Sequence, residues 1–272
     1  MNAAEKFDAR ATCIESLLCV GLDISLERIP SAFREERWPL FAFNRFIIER
    51  THQFVSAYKP NIAFYEARGA EGLHELELTV AHLREVHPDI LTICDAKRGD
   101  NATTNQAYAT ALFDRLGFDA VTLQPYMGSQ ALRPFLERSD KGCIVLCRTS
   151  NPDAELQGLE VLAPGHARSI PLWQAVAEKV RDEWNARGNC MLVVGATHPS
   201  VLRKVRELAT DLTLLSPGIG SQGGDLRLAV QAGVNSAGRG LILSASRSVL
   251  YADDPAAEAR TLRDAINDAR AQ

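Results

Sequence analysis

The chain has 272 residues, 46% of them hydrophobic and 24% charged, proportions that exclude a disordered or fibrous protein. Its 30 Lys and Arg against 34 Asp and Glu give a net charge of −4, which speaks against a nucleic-acid-binding or membrane-surface role. The length fits about two small domains, or one α/β barrel of roughly 250 residues.

Reading from the N-terminus, residues 1–23 carry scattered charges and no basic stretch followed by an apolar one. No signal peptide is expected there, and no stretch approaches the roughly 20 apolar residues of a membrane span. The six cysteines, at 13, 19, 94, 143, 147 and 190, form no CxxC pair. Free thiols in a reducing cytoplasm are expected, with no zinc site among them.

Short apolar runs then recur in order: LLCVGLD (17–23), SAYKPNIAFY (56–65), DILTICDAK (89–97), DAVTLQPY (119–126), GCIVLCRTS (142–150), CMLVVGAT (190–197), DLTLLSPGIG (211–220) and GLILSAS (240–246). Segments of helical period separate them. Leu73, Leu76, Val80 and Leu83 step by three and four within 70–87, as do Leu262, Ile266 and Ala269 near the end. Eight strand–helix units predict an α/β fold, a single (β/α)8 TIM barrel over 1–272. No Pro/Gly/Ser-rich linker divides it, and 151–170 is expected to be a loop over the barrel mouth.

Buried parallel strands should be apolar throughout, yet Asp23, Lys59, Asp95, Lys97 and Ser150 stand at their C-terminal ends. Active sites of barrels form at that end. In LTICDAKRGD, strand alternation puts Leu91, Ile93, Asp95 and Lys97 on one face. Asp95 and Lys97 then project together into the mouth, while Cys94 and Ala96 face the helices. A lysine flanked by carboxylates keeps its proton more tightly, so Lys97 is expected to be a positioned acid, not a Schiff-base nucleophile. Gly99 permits a turn, and Asp100 precedes the helical segment NATTNQAYATALF.

The seventh strand runs into SPGIGSQGGD (216–225) and the eighth into SASRSVLYA. Glycines at 218, 220, 223 and 224 allow close backbone approach, and Arg247 suits bidentate phosphate binding. Loops after strands seven and eight are where barrels often hold phosphate.

DAKRGD, Lys59 within AYKPNIAFYE, PGIGSQGGD and SRSVLYA together resemble the orotidine 5′-phosphate decarboxylase family, in its longer bacterial branch. The resemblance runs from CVGLD through RTSNP and VGAT to SRSVLYA. It implies decarboxylation of orotidine 5′-monophosphate to UMP in pyrimidine biosynthesis, without cofactor or metal. Lys97 would protonate C6, and Asp95 would face the departing carboxylate. Lys59 would bind the ribose. Asp100 would complete an alternating Lys–Asp–Lys–Asp array from the other subunit of a homodimer. Asp23 and Thr104 would hold ribose hydroxyls, Thr104 again from the partner. Ser150 would read the pyrimidine. Gln222 and Arg247, with backbone near Gly220 and Ser246, would clasp the phosphate, and Pro217 would line the closing loop. Two positions depart from the family pattern: Asn101 replaces a usual apolar residue, and ISLERIP follows GLD where a proline often comes directly.

Two other readings remain. A magnesium-dependent sugar-phosphate enzyme of the same superfamily would want an acidic ligand where Lys59 stands. A catalytically silent nucleotide-binding barrel would not need the charged array. Histidines 74, 82 and 87 are expected to be solvent-exposed, and His198 opens the loop after strand six.

Overall fold

Pairing of the eight apolar runs closes a barrel in which every strand is parallel to its neighbours. The strands are β1 (Leu18–Gly21), β2 (Ala57–Lys59), β3 (Leu91–Arg98), β4 (Ala120–Leu123), β5 (Gly142–Arg148), β6 (Cys190–Val194), β7 (Leu214–Pro217) and β8 (Leu241–Ala245). They follow one another around the barrel in chain order, and β8 closes on β1 with Leu18 opposite Leu243 and Val20 opposite Ala245. The structure is a computed structural model, and it describes residues 1–151, 153–219 and 224–271.

Strands β1, β4, β6 and β8 are buried at every position. Helices cover their outer side and side chains fill the interior, so both faces must be apolar. The second run is the exception in length. Its strand ends at Lys59 because Pro60 has no N–H to continue the ladder. Asn61 then accepts from Ala63 N (3.2 Å) and caps a short helix, Ile62–Glu66. The last six letters of SAYKPNIAFY are therefore turn and helix.

The helix Gly69–Val86 buries Leu76, Val80 and Leu83, but Leu73 is 39% exposed and lies outside the apolar stripe. Its inner face instead includes Gly72, Glu75 and Thr79. Glu75 is fully buried and accepts from Leu40 N (2.5 Å) and Phe41 N (3.0 Å), so its carboxylate caps the start of the neighbouring helix Pro39–Thr51. The C-terminal helix Pro255–Arg270 buries Ile266 and Ala269, with Leu262 packed at its margin.

An N-terminal helix, Ala3–Cys13, is not marked by the apolar runs. An Asn2–Glu5 capping box starts it, and Lys6 pairs with Asp119 (2.8 Å) just before β4. It therefore covers the N-terminal end of the barrel and leaves the other end open. The 151–170 segment is not a plain loop: it contains a short helix, Glu155–Gly158, and an antiparallel pairing of Glu160–Val161 with Ile170–Pro171. Gln157 anchors it to the end of β5 by accepting from Thr149 N (2.8 Å).

All six cysteines are free thiols, Cys13 exposed and the others buried. Among the described residues, no helix is long and apolar enough to cross a membrane.

Candidate active site

A cavity of about 660 Å³ opens at the C-terminal ends of the strands, within the size range of small-ligand sites. All eight strands or the turns directly after them contribute to its wall. Asp23, Lys59, Asp95, Lys97, Ser150, Pro217, Ser246 and Arg247, eight of the residues marked by the sequence, line it together. Leu146, Val193 and Leu215 form an apolar side opposite the charges.

Asp95 is the hub. Its Oδ1 accepts from Lys97 Nζ at 2.6 Å and from Thr122 Oγ1 at 2.9 Å, and its Oδ2 accepts from Lys59 Nζ at 3.1 Å. Burial alone would raise the Asp95 pKa, but the ammonium groups of Lys59 and Lys97 hold it well below the usual carboxylate range. Burial would likewise favour a neutral Lys59. The carboxylates of Asp23 and Asp95 outweigh it and hold Lys59 above the ordinary lysine value. Both groups are therefore charged across the physiological range. Lys59 is 5% exposed, whereas the Lys97 side chain is 48% exposed to the cavity.

The backbone that delivers Lys97 is not a regular strand. Pairing of β3 with β4 jumps from Cys94–Val121 to Arg98–Leu123, so residues 95–97 bulge out of the ladder. Lys97 has φ +47°, in the left-handed region that a side chain disfavours. Simple alternation thus places Asp95 and Lys97 together correctly but for an incomplete reason. Thr122 on β4 occupies the gap left by the bulge. Its Oγ1 accepts from both Ala96 N and Lys97 N, each at 2.9 Å, while donating to Asp95. The sequence reading missed Thr122, because a β-branched polar residue inside a strand is ordinary.

Across the mouth, Asp23 Oδ1 accepts from Asn61 N (3.1 Å) and its Oδ2 from Ser246 Oγ (3.1 Å). These bonds join the ends of β1, β2 and β8. Ser150 is held by a close approach: a Cβ on Gly195 would lie 2.6 Å from the Ser150 Cα, so only glycine fits after β6. Beyond β7, Gly224 N donates to Gly218 O (3.1 Å), and a Cβ there would come within 2.6 Å of that carbonyl. This contact pins the two ends of the loop after β7 together. Gly220 and Gln222 lie outside the described residues. Arg247 begins the short helix after β8 and faces the same cavity.

Two marked residues stand apart. Neither Asp100 nor Thr104 is among the described residues lining the cavity of their own chain. Asp100 Oδ1 accepts from Asn101 N (2.6 Å). Asn101, the departure from the family pattern, caps the helix Ala102–Ala109 by accepting from Thr104 N (3.0 Å). His198 precedes the helix Pro199–Leu208 and does not line the cavity. His82 and His87 are half-buried, contrary to the expected exposure, while His74 is exposed.

Comparison with known proteins agrees in sequence and in shape. The family model "Orotidine 5′-phosphate decarboxylase / HUMPS family" matches residues 16–262. The orotidine 5′-phosphate decarboxylase of Cellvibrio japonicus is 46% identical over 281 residues, covering 100% of both chains. That of Roseiflexus castenholzii is 48% identical over 275 residues, covering 98% of each. The solved OMP decarboxylase of Leishmania donovani superposes with a TM-score of 0.87 at 40% identity, covering 100% of both chains. A match spanning the whole barrel, on relatives of equal length, establishes that this chain belongs to the orotidine 5′-phosphate decarboxylase / HUMPS family.

Proposed function

We propose that this chain, a single barrel domain, decarboxylates orotidine 5′-monophosphate to uridine 5′-monophosphate, a step of pyrimidine biosynthesis, as a cytoplasmic, cofactor-independent carboxy-lyase. The observation that carries the reading is the Lys59–Asp95–Lys97 array at the open end of the barrel. Loss of carbon dioxide from the pyrimidine leaves a vinyl carbanion at C6 with no electron sink in the ring. The barrier reduction required is on the order of 20 kcal/mol, near the upper end of what enzymes supply. A fixed ammonium beside C6 stabilises the developing charge and then delivers its proton, and Lys97 fills that role. Thr122 and Asp95 position it. Asp95, charged and short of water, stands where the leaving carboxylate would be repelled.

Asp23 and Lys59 are assigned to the ribose and Ser150 to the pyrimidine edge. Arg247, Ser246 and Pro217, with Gly220 and Gln222, are assigned to the phosphate. Binding energy gathered at the phosphate, remote from C6, can drive closure around the ring. Lys59 also separates this reading from the magnesium-dependent sister enzymes, because its buried ammonium stands where they would want an acidic ligand.

The working unit is proposed to be a homodimer, with Asp100 and Thr104 serving the partner's cavity. Their position outside their own cavity supports this. So does the surface beside them, where Tyr126 is 91% and Met127 47% exposed.

The assay is direct. Orotidine 5′-monophosphate is added with a chelator present, and loss of its ultraviolet absorbance is followed. Turnover is expected undiminished by chelator, and K97A is expected to lower kcat by more than about a thousandfold while remaining folded. Near-normal turnover by K97A would sink the assignment.

A further inference from the structure

At the closed end of the barrel, two helices end side by side. Pro39–Thr51 runs into the His52–Phe54 turn just before β2, and Gly69–Val86 ends at His87 just before β3. This corner is at the N-terminal ends of the strands, on the far side of the barrel from Lys97. Three side chains converge there. A carboxylate oxygen of Glu49 and one ring nitrogen each of His82 and His87 all lie within 4.8 Å of one another.

The polar atoms of this cluster are poorly satisfied. His82 Nε2 comes to 3.3 Å from Glu49 Oε1. Even so, Nε2 of His82 and Nε2 of His87 are both buried without an aligned hydrogen-bond partner among the described residues. Such orphaned nitrogens call for an explanation. The rings are also held in place. His87 stacks on His52 with centroids 4.4 Å apart, and His82 meets His87 edge-on at 6.2 Å. His52 Nδ1 is taken up by Glu49 O (3.1 Å) and Ile48 O (3.3 Å).

We propose that Glu49, His82 and His87 form a site for one divalent transition-metal ion of the zinc class, distinct from the active site. Two imidazoles and a carboxylate, with a fourth position open to water, are a donor set that Zn²⁺ accepts. Imidazole donors select against magnesium and calcium, which prefer oxygen. Zinc bonds of about 2.0–2.2 Å require the donors to draw closer than they stand. The Glu49 side chain, 51% exposed, is free to swing in. The ion would tie together the two helix ends that lead into β2 and β3. Its effect is on stability, by binding the folded form alone.

The test uses Zn²⁺ and Co²⁺ added to the full chain without chelator. Calorimetric titration with Zn²⁺ is expected to give one site per chain with a micromolar Kd, and a higher Tm. Co²⁺ should show the visible absorption of a low-coordinate site, and Mg²⁺ should do neither. E49Q, H82N and H87N should each weaken Zn²⁺ binding by at least about tenfold, since loss even of outer-shell partners costs that much. H74N, an exposed position on the same helix, should leave it unchanged. No saturable Zn²⁺ binding below about 100 µM would overturn the site, as would binding that survives E49Q and H87N unaltered. E49Q changes an exposed side chain, so the test stands even if a histidine variant misfolds. Turnover in chelator is expected to be normal, which separates this inference from the proposed activity.

Discussion

Thr122 satisfies three groups with one hydroxyl: two backbone N–H groups of the bulge and the Asp95 carboxylate. T122V keeps the shape and removes the oxygen. It is expected to cost about 1–3 kcal/mol of stability from unpaired buried donors. It should also lower kcat by about a hundredfold, since an ångström of misplacement carries such a penalty. Denaturant titration and steady-state kinetics check both, and a fall in stability without loss of kcat would reduce Thr122 to a packing residue. The ion pairs of Asp95 set a pH window. Its pKa is held below the ordinary carboxylate value of about 3.9, so its contribution is complete above that pH and lost as pH falls further. Lys59 has a raised pKa, so its contribution is complete below about pH 10.4 and lost only as pH rises beyond. The stability gap between wild type and D95N should then be flat from about pH 5 to 9 and narrow below about pH 4. Denaturant midpoints across pH measure it.

Among the elements, Pro199–Leu208 is held by one buried cation. Arg206 donates to the carbonyls of Gly233 (2.8 Å), Ala209 (3.1 Å), Thr210 (3.0 Å), Leu212 (2.8 Å) and Gly240 (2.6 Å). Ala209, Thr210 and Leu212 lie just before β7 and Gly240 just before β8, while Gly233 ends the helix Leu226–Gly233. Burial pulls the Arg206 pKa down to about 10, so it remains charged at neutral pH. R206M strands those carbonyls and is expected to destabilise by about 3 kcal/mol with kcat kept, since it lies away from the cavity. Chemical denaturation with a parallel activity assay checks it. The strands were legible in the sequence because parallel strands buried on both faces must read as apolar runs. What escaped was decided by tertiary contacts. Leu73 was misread because the buried stripe of its helix carries Gly72, Glu75 and Thr79 in place of apolar residues. The pairing of Glu160–Val161 with Ile170–Pro171 is too short and too exposed to leave a period. In the site, Lys59, Asp95 and Lys97 stood out as charges in apolar runs. Thr122 and Gly195 carry no such mark and acquire meaning only from what lies across the barrel. Asp100 and Thr104 were assigned through the family resemblance alone.

For the whole molecule, the question is how many chains make one site. If Asp100 crosses to the neighbour, K97A and D100N homodimers are each inactive, but their heterodimer holds one site with both native residues. A remixed equimolar sample should recover about a quarter of wild-type activity, half the dimers being hybrid and each hybrid having one good site of two. Confirmed heterodimers with no recovery would show that each chain works alone. The left-handed backbone of Lys97 bears on any attempt to redesign this barrel. Judged by local geometry, position 97 asks for glycine or asparagine. A procedure that ranks residues by fit to the backbone would therefore discard the proposed proton donor while reporting an improvement. Libraries selected for heat resistance should drift the same way unless turnover is selected alongside, so position 97 has to be fixed before optimisation begins.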